Sequence, residues 1–191
     1  MGLYRITVNL FVSLFVKKAN RAEVKYWLLG LPTRLSVRRS AKSVGKGLCC
    51  GENPVRVNKN TTIGCDCHFN GLLVFGGGGL SFGSHIHAGA DTVIITDNHN
   101  YDTGEMIPYD NTTIKKETII GDFVWLGVRC TILPGARIGE GAIIQAGAVV
   151  HGEIPPYAIA GGNPAKVFKY RNIEHFKKLK AEGKYINSSI N

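Results

Sequence analysis

The sequence has no apolar run approaching the roughly 18 residues of a membrane-spanning helix, which excludes that reading of the chain. Acid is almost missing from residues 1–50, where Glu23 faces ten Lys and Arg. No Gly-X-Y period accompanies the 24 glycines, so a collagen-like rod is excluded. Signatures of helix-turn-helix, RNA-binding or zinc-finger modules are also missing, and no nucleic-acid partner is expected. The five cysteines, Cys49, Cys50, Cys65, Cys67 and Cys130, are odd in number. The short apolar stretch 10–16 has only Arg5 before it and Lys17-Lys18 straight after, a poor fit to a cleavable secretory signal. Together these lead to the expectation of a reducing cytoplasm.

What is present is enough for a folded domain with a small appendage. The chain has 191 residues, 44% of them apolar and 19% charged, which is not the composition of a disordered chain. The charge is segregated. Residues 51–165 carry eleven acids against six bases, and residues 166–191 carry seven bases against Glu174 and Glu182. An acidic middle between two basic ends points to anionic partners such as phosphates or a membrane surface.

From 120 onward the chain divides into sixes: IGDFVW, LGVRCT, ILPGAR, IGEGAI, IQAGAV, VHGEIP. The first position, Ile120, Leu126, Ile132, Ile138, Ile144 and Val150, is always aliphatic. The fifth, Val124, Cys130, Ala136, Ala142, Ala148 and Ile154, is mostly small. Less regular repeats begin at Ile63, Phe69, Phe82, Ala88 and Ile94, interrupted by Gly76–Gly79, with weaker starts at Val44 and Val57. A period of six suits neither a long helix nor a long strand. It suits short strands joined by tight corners, three faces to a coil of about eighteen residues, with coils stacked into a solenoid.

Two segments break the period. Residues 100–118, polar and containing Gly and Pro, are expected to protrude as a loop, and a loop of that length in a compact protein is often functional. Residues 172–184 read as a helix ending before Gly183. The N-terminal segment reads as one or two amphipathic helices with a break near Pro32. The expected organisation is therefore a helical segment over 1–43, a repeat domain over 44–171 and a helix with its tail over 172–191.

The repeats, the NHNYD segment at 98–102, VWLG at 124–127 and AGGNPAKV at 160–167 together resemble the hexapeptide-repeat acyltransferases. Within that family they resemble most the sugar O-acetyltransferases of the galactoside and maltose acetyltransferase type. The resemblance covers about residues 44–171. It implies a mainly β fold, the left-handed parallel β-helix, a homotrimer with active sites between adjacent subunits, and acetyl-CoA as acyl donor without a metal. It makes His99 the catalytic base and Asn70 a group near the tetrahedral intermediate. It puts Trp125 and Gly127 along the pantetheine arm, Ala146 and Gly147 at a backbone stretch touching the coenzyme, and Lys166 and Lys169 near the nucleotide phosphates, with Arg171 as an alternative. Two positions depart from the family. His151-Gly152 stands where relatives often have Thr-Lys, and glycines 76–79 stand where some have an acid that holds the sugar.

Acyl transfer to a hydroxyl requires a base, and imidazole takes and returns a proton near neutral pH. The developing oxyanion requires a fixed donor, a role open to an Asn amide. The acceptor for the other His99 nitrogen stays open among Asp97, Asp102, Glu105 and a backbone carbonyl. Without the family context, His99 reads as a surface residue, Asn70 as a corner residue, Trp125 as packing and the lysines as a solvated face. His68 and His87 share the sixth repeat position and are expected to stack. The His-x4-His pair of the γ-carbonic anhydrases is missing, so no metal is expected. Cys67 and Cys130 occupy the small core position.

The expected activity is O-acetylation of a sugar hydroxyl in surface-polysaccharide assembly. Acetylation of an antibiotic or other xenobiotic, N-acetylation of an amino sugar and a non-catalytic scaffold are the alternatives. The basic N-terminal segment is expected either to cap the solenoid or to bind peripherally at the inner membrane surface.

Overall fold

The computed structural model describes residues 2–186; residues 187–191, the end of the expected tail, lie outside the described residues. Three parallel sheets wrap one core as a left-handed β-helix. The first face stacks Ser43–Val44, Thr61–Ile63, Leu80–Phe82, Thr118–Ile120, Arg137–Ile138 and Glu153–Ile154, one strand from each of six coils. The second stacks Cys49–Cys50, His68–Phe69, His87–Ala88, Trp125–Leu126, Ile143–Ile144 and Ala158–Gly161, and a final antiparallel strand, Lys166–Tyr170, closes it. The third stacks Val55–Arg56, Leu72–Phe75, Thr92–Ile95, Thr131–Ile132 and Val149–Val150.

The six-residue period is the cause of this shape. Each aliphatic first position from Ile120 to Val150 is at most 2% exposed, and each fifth position from Val124 to Ile154 is at most 3% exposed. Ile63, Phe69, Phe82, Ala88 and Ile94 continue the columns upstream. Cys67 and Cys130 are fully buried among them, and burial raises both thiol pKa values. Each Ile or Leu in a column contributes on the order of 2–3 kcal/mol of apolar burial.

The turns between faces require left-handed backbone. At the corner joining the first face to the second, one residue per coil has positive φ: Gly47, Asp66, His85, Phe123, Gly141 and Tyr157. Equal backbone conformations in register bring side chains together, so His85 and Phe123 stack with centroids 4.6 Å apart and planes 11° apart. Gly141 leaves a gap in this row. A Cβ there would lie 3.0 Å from both Phe176 and Tyr157. Phe176 of the C-terminal helix α4 (Ile173–Ala181) fills that space and packs edge-on against Phe123 and Tyr157. Asn172 caps α4 through the His175 amide, and Lys180 pairs with Glu140.

The N-terminal segment contains more helix than expected: α1 (Gly2–Phe15), a 3-10 turn at Lys18–Asn20, α2 (Arg21–Leu29) and α3 (Leu31–Ser40). The break falls at Gly30, whose Cβ position would lie 1.9 Å from the Cys50 carbonyl oxygen. Pro32 lies close to that break, in the first turn of α3, where its missing N–H costs nothing. Val37 of α3 joins the main core and covers the open end of the solenoid, whereas α1 packs in a separate small cluster with α2. No described helix is long and apolar enough to cross a membrane.

The expected loop is a hairpin. Asp97–His99 pairs antiparallel with Thr113–Lys115, so the irregular part is confined to 100–112, and Thr118 already belongs to the next coil.

Candidate active site

His99 ends the outgoing strand of the hairpin and is solvent-exposed. Its ring lies flat on Tyr109, with centroids 3.8 Å and planes 12° apart. Asp110 holds the loop that carries Tyr109. Its carboxylate accepts bonds from the Thr112 hydroxyl and amide and from the Glu105 amide, and these hold its pKa below the ordinary Asp value. Asn100 ties the same loop to Thr103 and Thr112.

Asp97 is otherwise engaged. Its carboxylate accepts the Gly77 amide at 2.7 Å and occupies the space where a Gly76 side chain would stand, 2.2 Å from that Cβ position. Thr96 accepts the Gly78 amide through its hydroxyl. The four-glycine stretch is thus a socket for the hairpin stem. This role was not legible from the glycines alone, because the acid they receive lies twenty residues on.

Asn70 occupies the corner between the second and third faces. Its carbonyl accepts Asn53 Nδ2 at 3.2 Å, and its side-chain oxygen fills the space beside Gly51. Gly127, Ala146 and Gly147 lie on this same corner in later coils. A Cβ at Gly127 would stand 2.5 Å from the Ala146 amide nitrogen, so glycine is required for the coils to approach. At Gly147, φ is +73° and a Cβ would meet nothing within 4 Å, so the backbone there is open. Trp125 is 54% exposed on the second face. It flanks a groove of about 530 Å³ that also involves His87, Phe123, Phe176 and Arg171.

Lys166 and Lys169 are opposite Gly161 and Ile159, with a β-bulge between them. Directly paired residues share a side, and Ala158 and Ala160 are the inward members of that strand. Both lysines therefore project outward, which a spacing of three along a regular strand would not give.

The structure thus gathers Asn70, Trp125, Gly127, Ala146, Gly147, Lys166 and Lys169 along the second face and its trailing corner. His99 is not among them; it leaves from the opposite edge of the third face.

His68 and His87 are cross-strand partners on the second face, with ring centroids 5.4 Å apart in edge contact rather than parallel. His87 also pairs with Trp125, and His68 Nε2 is hydrogen-bonded to the Tyr26 hydroxyl of α2. Desolvation lowers both imidazole pKa values, each further by a neighbouring histidine. Among the described residues no group of three His, Cys, Asp or Glu could hold a metal ion.

Comparison with known proteins bears on the repeat and the fold. Residues 117–152 match the family model of the bacterial transferase hexapeptide (six repeats). Over 73 residues, 38% of this chain, the sequence is 41% identical to a chloramphenicol acetyltransferase of Klebsiella aerogenes. Over 94 residues, 44% of this chain, it is 39% identical to WbbJ of Escherichia coli K12, provisionally named a lipopolysaccharide-biosynthesis O-acetyl transferase. The matched regions span only 35% and 47% of those relatives. A solved hexapeptide-repeat acetyltransferase of Vibrio cholerae, VCA0836 with acetyl-CoA, superposes with a TM-score of 0.59 at 23% identity, over 87% of this chain and 85% of the other. The repeat, the six-coil solenoid and these likenesses show a hexapeptide-repeat β-helix, the fold of the Vibrio cholerae acetyltransferase.

Proposed function

We propose that the protein is an acetyl-CoA-dependent O-acetyltransferase that acts on a sugar hydroxyl in surface-polysaccharide assembly. The observation that carries the reading is His99, an exposed imidazole fixed against Tyr109 on a hairpin that springs from the solenoid. The likeness to WbbJ supports the glycan acceptor, and the coenzyme in the Vibrio cholerae structure supports the donor.

In this reading His99 takes the acceptor hydroxyl proton as the oxygen attacks the thioester carbon. The tetrahedral intermediate collapses, the C–S bond breaks, and the imidazolium protonates the departing thiolate, giving an acetyl ester and the free thiol. The Asn70 amide donates to the oxyanion. Trp125 and the corner backbone of Gly127, Ala146 and Gly147, open at Gly147, receive the pantetheine arm, and Lys166 and Lys169 receive phosphate.

His99 and Asn70 flank opposite edges of one face, so the two act together when the hairpin of one copy reaches the corner of the next. A homotrimer provides three such sites. The exposed Met106 and Ile107 on the hairpin are apolar groups suited to that contact.

The test is release of free thiol from acetyl-CoA with nucleotide sugars, free sugars and chloramphenicol as acceptors. Turnover is expected with a sugar. Turnover with chloramphenicol alone would transfer the reading to antibiotic acetylation, which the Klebsiella aerogenes likeness favours. No thiol release and no coenzyme binding would overturn it and leave a scaffold.

A further inference from the structure

Helix α1 has two apolar faces, and the protein uses one. Val8 and Val12 are buried against Leu29 of α2, and the Tyr4 hydroxyl donates to the Leu28 carbonyl at 2.6 Å. These contacts fix the orientation of the helix. On the side opposite them, Leu3, Ile6, Leu10 and Leu14 follow one another at helical spacing and are 80%, 64%, 59% and 65% exposed. A row of large aliphatics on the outer side of a docked helix is more than scattered surface apolarity.

The charge around this row is predominantly positive, although Glu23 lies in the first turn of α2 and Glu52 pairs with Arg5 of α1. Helix α1 contains no acid, Lys17 and Lys18 follow it immediately, and Arg21 and Lys25 lie on α2. Arg21 is folded back onto the Val16 and Ser13 carbonyls at the end of α1, which leaves its charge close to the row. A second copy of the chain would bring equal positive charge against positive charge. An anionic surface neutralises it. At 14 residues the helix spans about 21 Å, short of the roughly 30 Å hydrocarbon core, so it suits the interface plane and not a crossing.

We infer that the outer row of α1, Leu3, Ile6, Leu10 and Leu14, is a docking face for anionic lipid, with Lys17 and Lys18 at its edge meeting the headgroups. Solenoid capping and lipid contact are thereby divided between α3 and α1. The inference stands independently of the acyltransferase reading.

The full chain is sedimented with vesicles of phosphatidylcholine alone and of phosphatidylcholine with phosphatidylglycerol, from 0.05 to 1 M salt. Binding to the anionic vesicles is expected to exceed that to the neutral ones by roughly tenfold or more and to weaken as the Debye length shrinks from about 14 Å to 3 Å. Leu10→Asn with Leu14→Asn abolishes it, while circular dichroism and thermal midpoint stay at wild-type values because both positions are solvent-exposed. Lys17→Ala with Lys18→Ala lowers the partition coefficient by roughly thirtyfold. Equal binding to both vesicle types, or none to either, overturns the inference. So does a smaller oligomer in the Leu10/Leu14 variant together with unaltered lipid binding, which assigns the row to self-association.

Discussion

The His99 ring lies on the Tyr109 ring at 3.8 Å, ten residues away across the hairpin, and this contact orients the imidazole from its face rather than through a carboxylate. His99→Ala is expected to lower turnover by about two to four orders of magnitude, the range for loss of a general base. A stacked pair is worth about 0.5–1.5 kcal/mol, so Tyr109→Ala should lower kcat by a factor of about 2–12, and Tyr109→Phe should restore it. Thiol release measured on all three variants checks both statements. A Phe variant as slow as the Ala variant would assign the effect to the Tyr hydroxyl instead.

Lys166 and Lys169 share the outward side of the closing strand because a bulge intervenes. Replacing both by Ala is expected to raise the KM for acetyl-CoA by about tenfold or more and leave kcat within about twofold, because the nucleotide is remote from the bond that breaks. Dephospho-CoA thioesters should lose less against the variant than against the wild type. An unchanged KM would transfer the phosphate contact to Arg171.

Stability should depend on pH through His68 and His87. Burial first and a neighbouring histidine second lower both pKa values in the folded protein. The unfolded chain therefore binds protons at a higher pH than the folded one does. The stability these neutral rings contribute is complete above the unfolded value near 6.5 and is lost as pH falls from there through the lowered folded values. Thermal midpoints between pH 8 and 5 should fall in the wild type and fall less in a His68→Gln, His87→Gln variant.

Gly141 is expected to tolerate no side chain. Gly141→Val places a β-branched residue at φ +67° and drives its Cβ to within 3.0 Å of Phe176 and Tyr157. The solenoid should stay folded while α4 separates from it. Trypsin cleavage at Lys177, Lys178 or Lys180 should then become faster by an order of magnitude or more, with the circular dichroism of the β-helix preserved.

The columns from Ile63 to Ile154 were legible in the sequence because a solenoid repeats one local decision: an aliphatic residue inward, a small one at the corner. The pairing of His68 with His87 followed from the same phase. Features joined across coils were not legible. Asp97 fills a socket made by glycines twenty residues earlier, and Tyr109 covers His99 through a loop whose path depends on Asp110. The direction of Lys169 depends on a bulge that no spacing announces. The N-terminal segment was readable as helix and basic charge, but its division into a capping α3 and an outlying α1 depends on packing with the solenoid end.

The hairpin leaves the third face and rejoins the first almost at one point: the Lys116 amide donates to the Thr96 carbonyl at 3.0 Å, and coils on either side stay in register, Ser81 opposite Ile119 and His87 opposite Trp125. The ladder of the β-helix passes beneath the insertion as though it were absent. The segment bearing His99 can therefore lengthen, shorten or be exchanged without disturbing the coils that carry the other candidate residues, so the two groups of residues are free to diverge at separate rates.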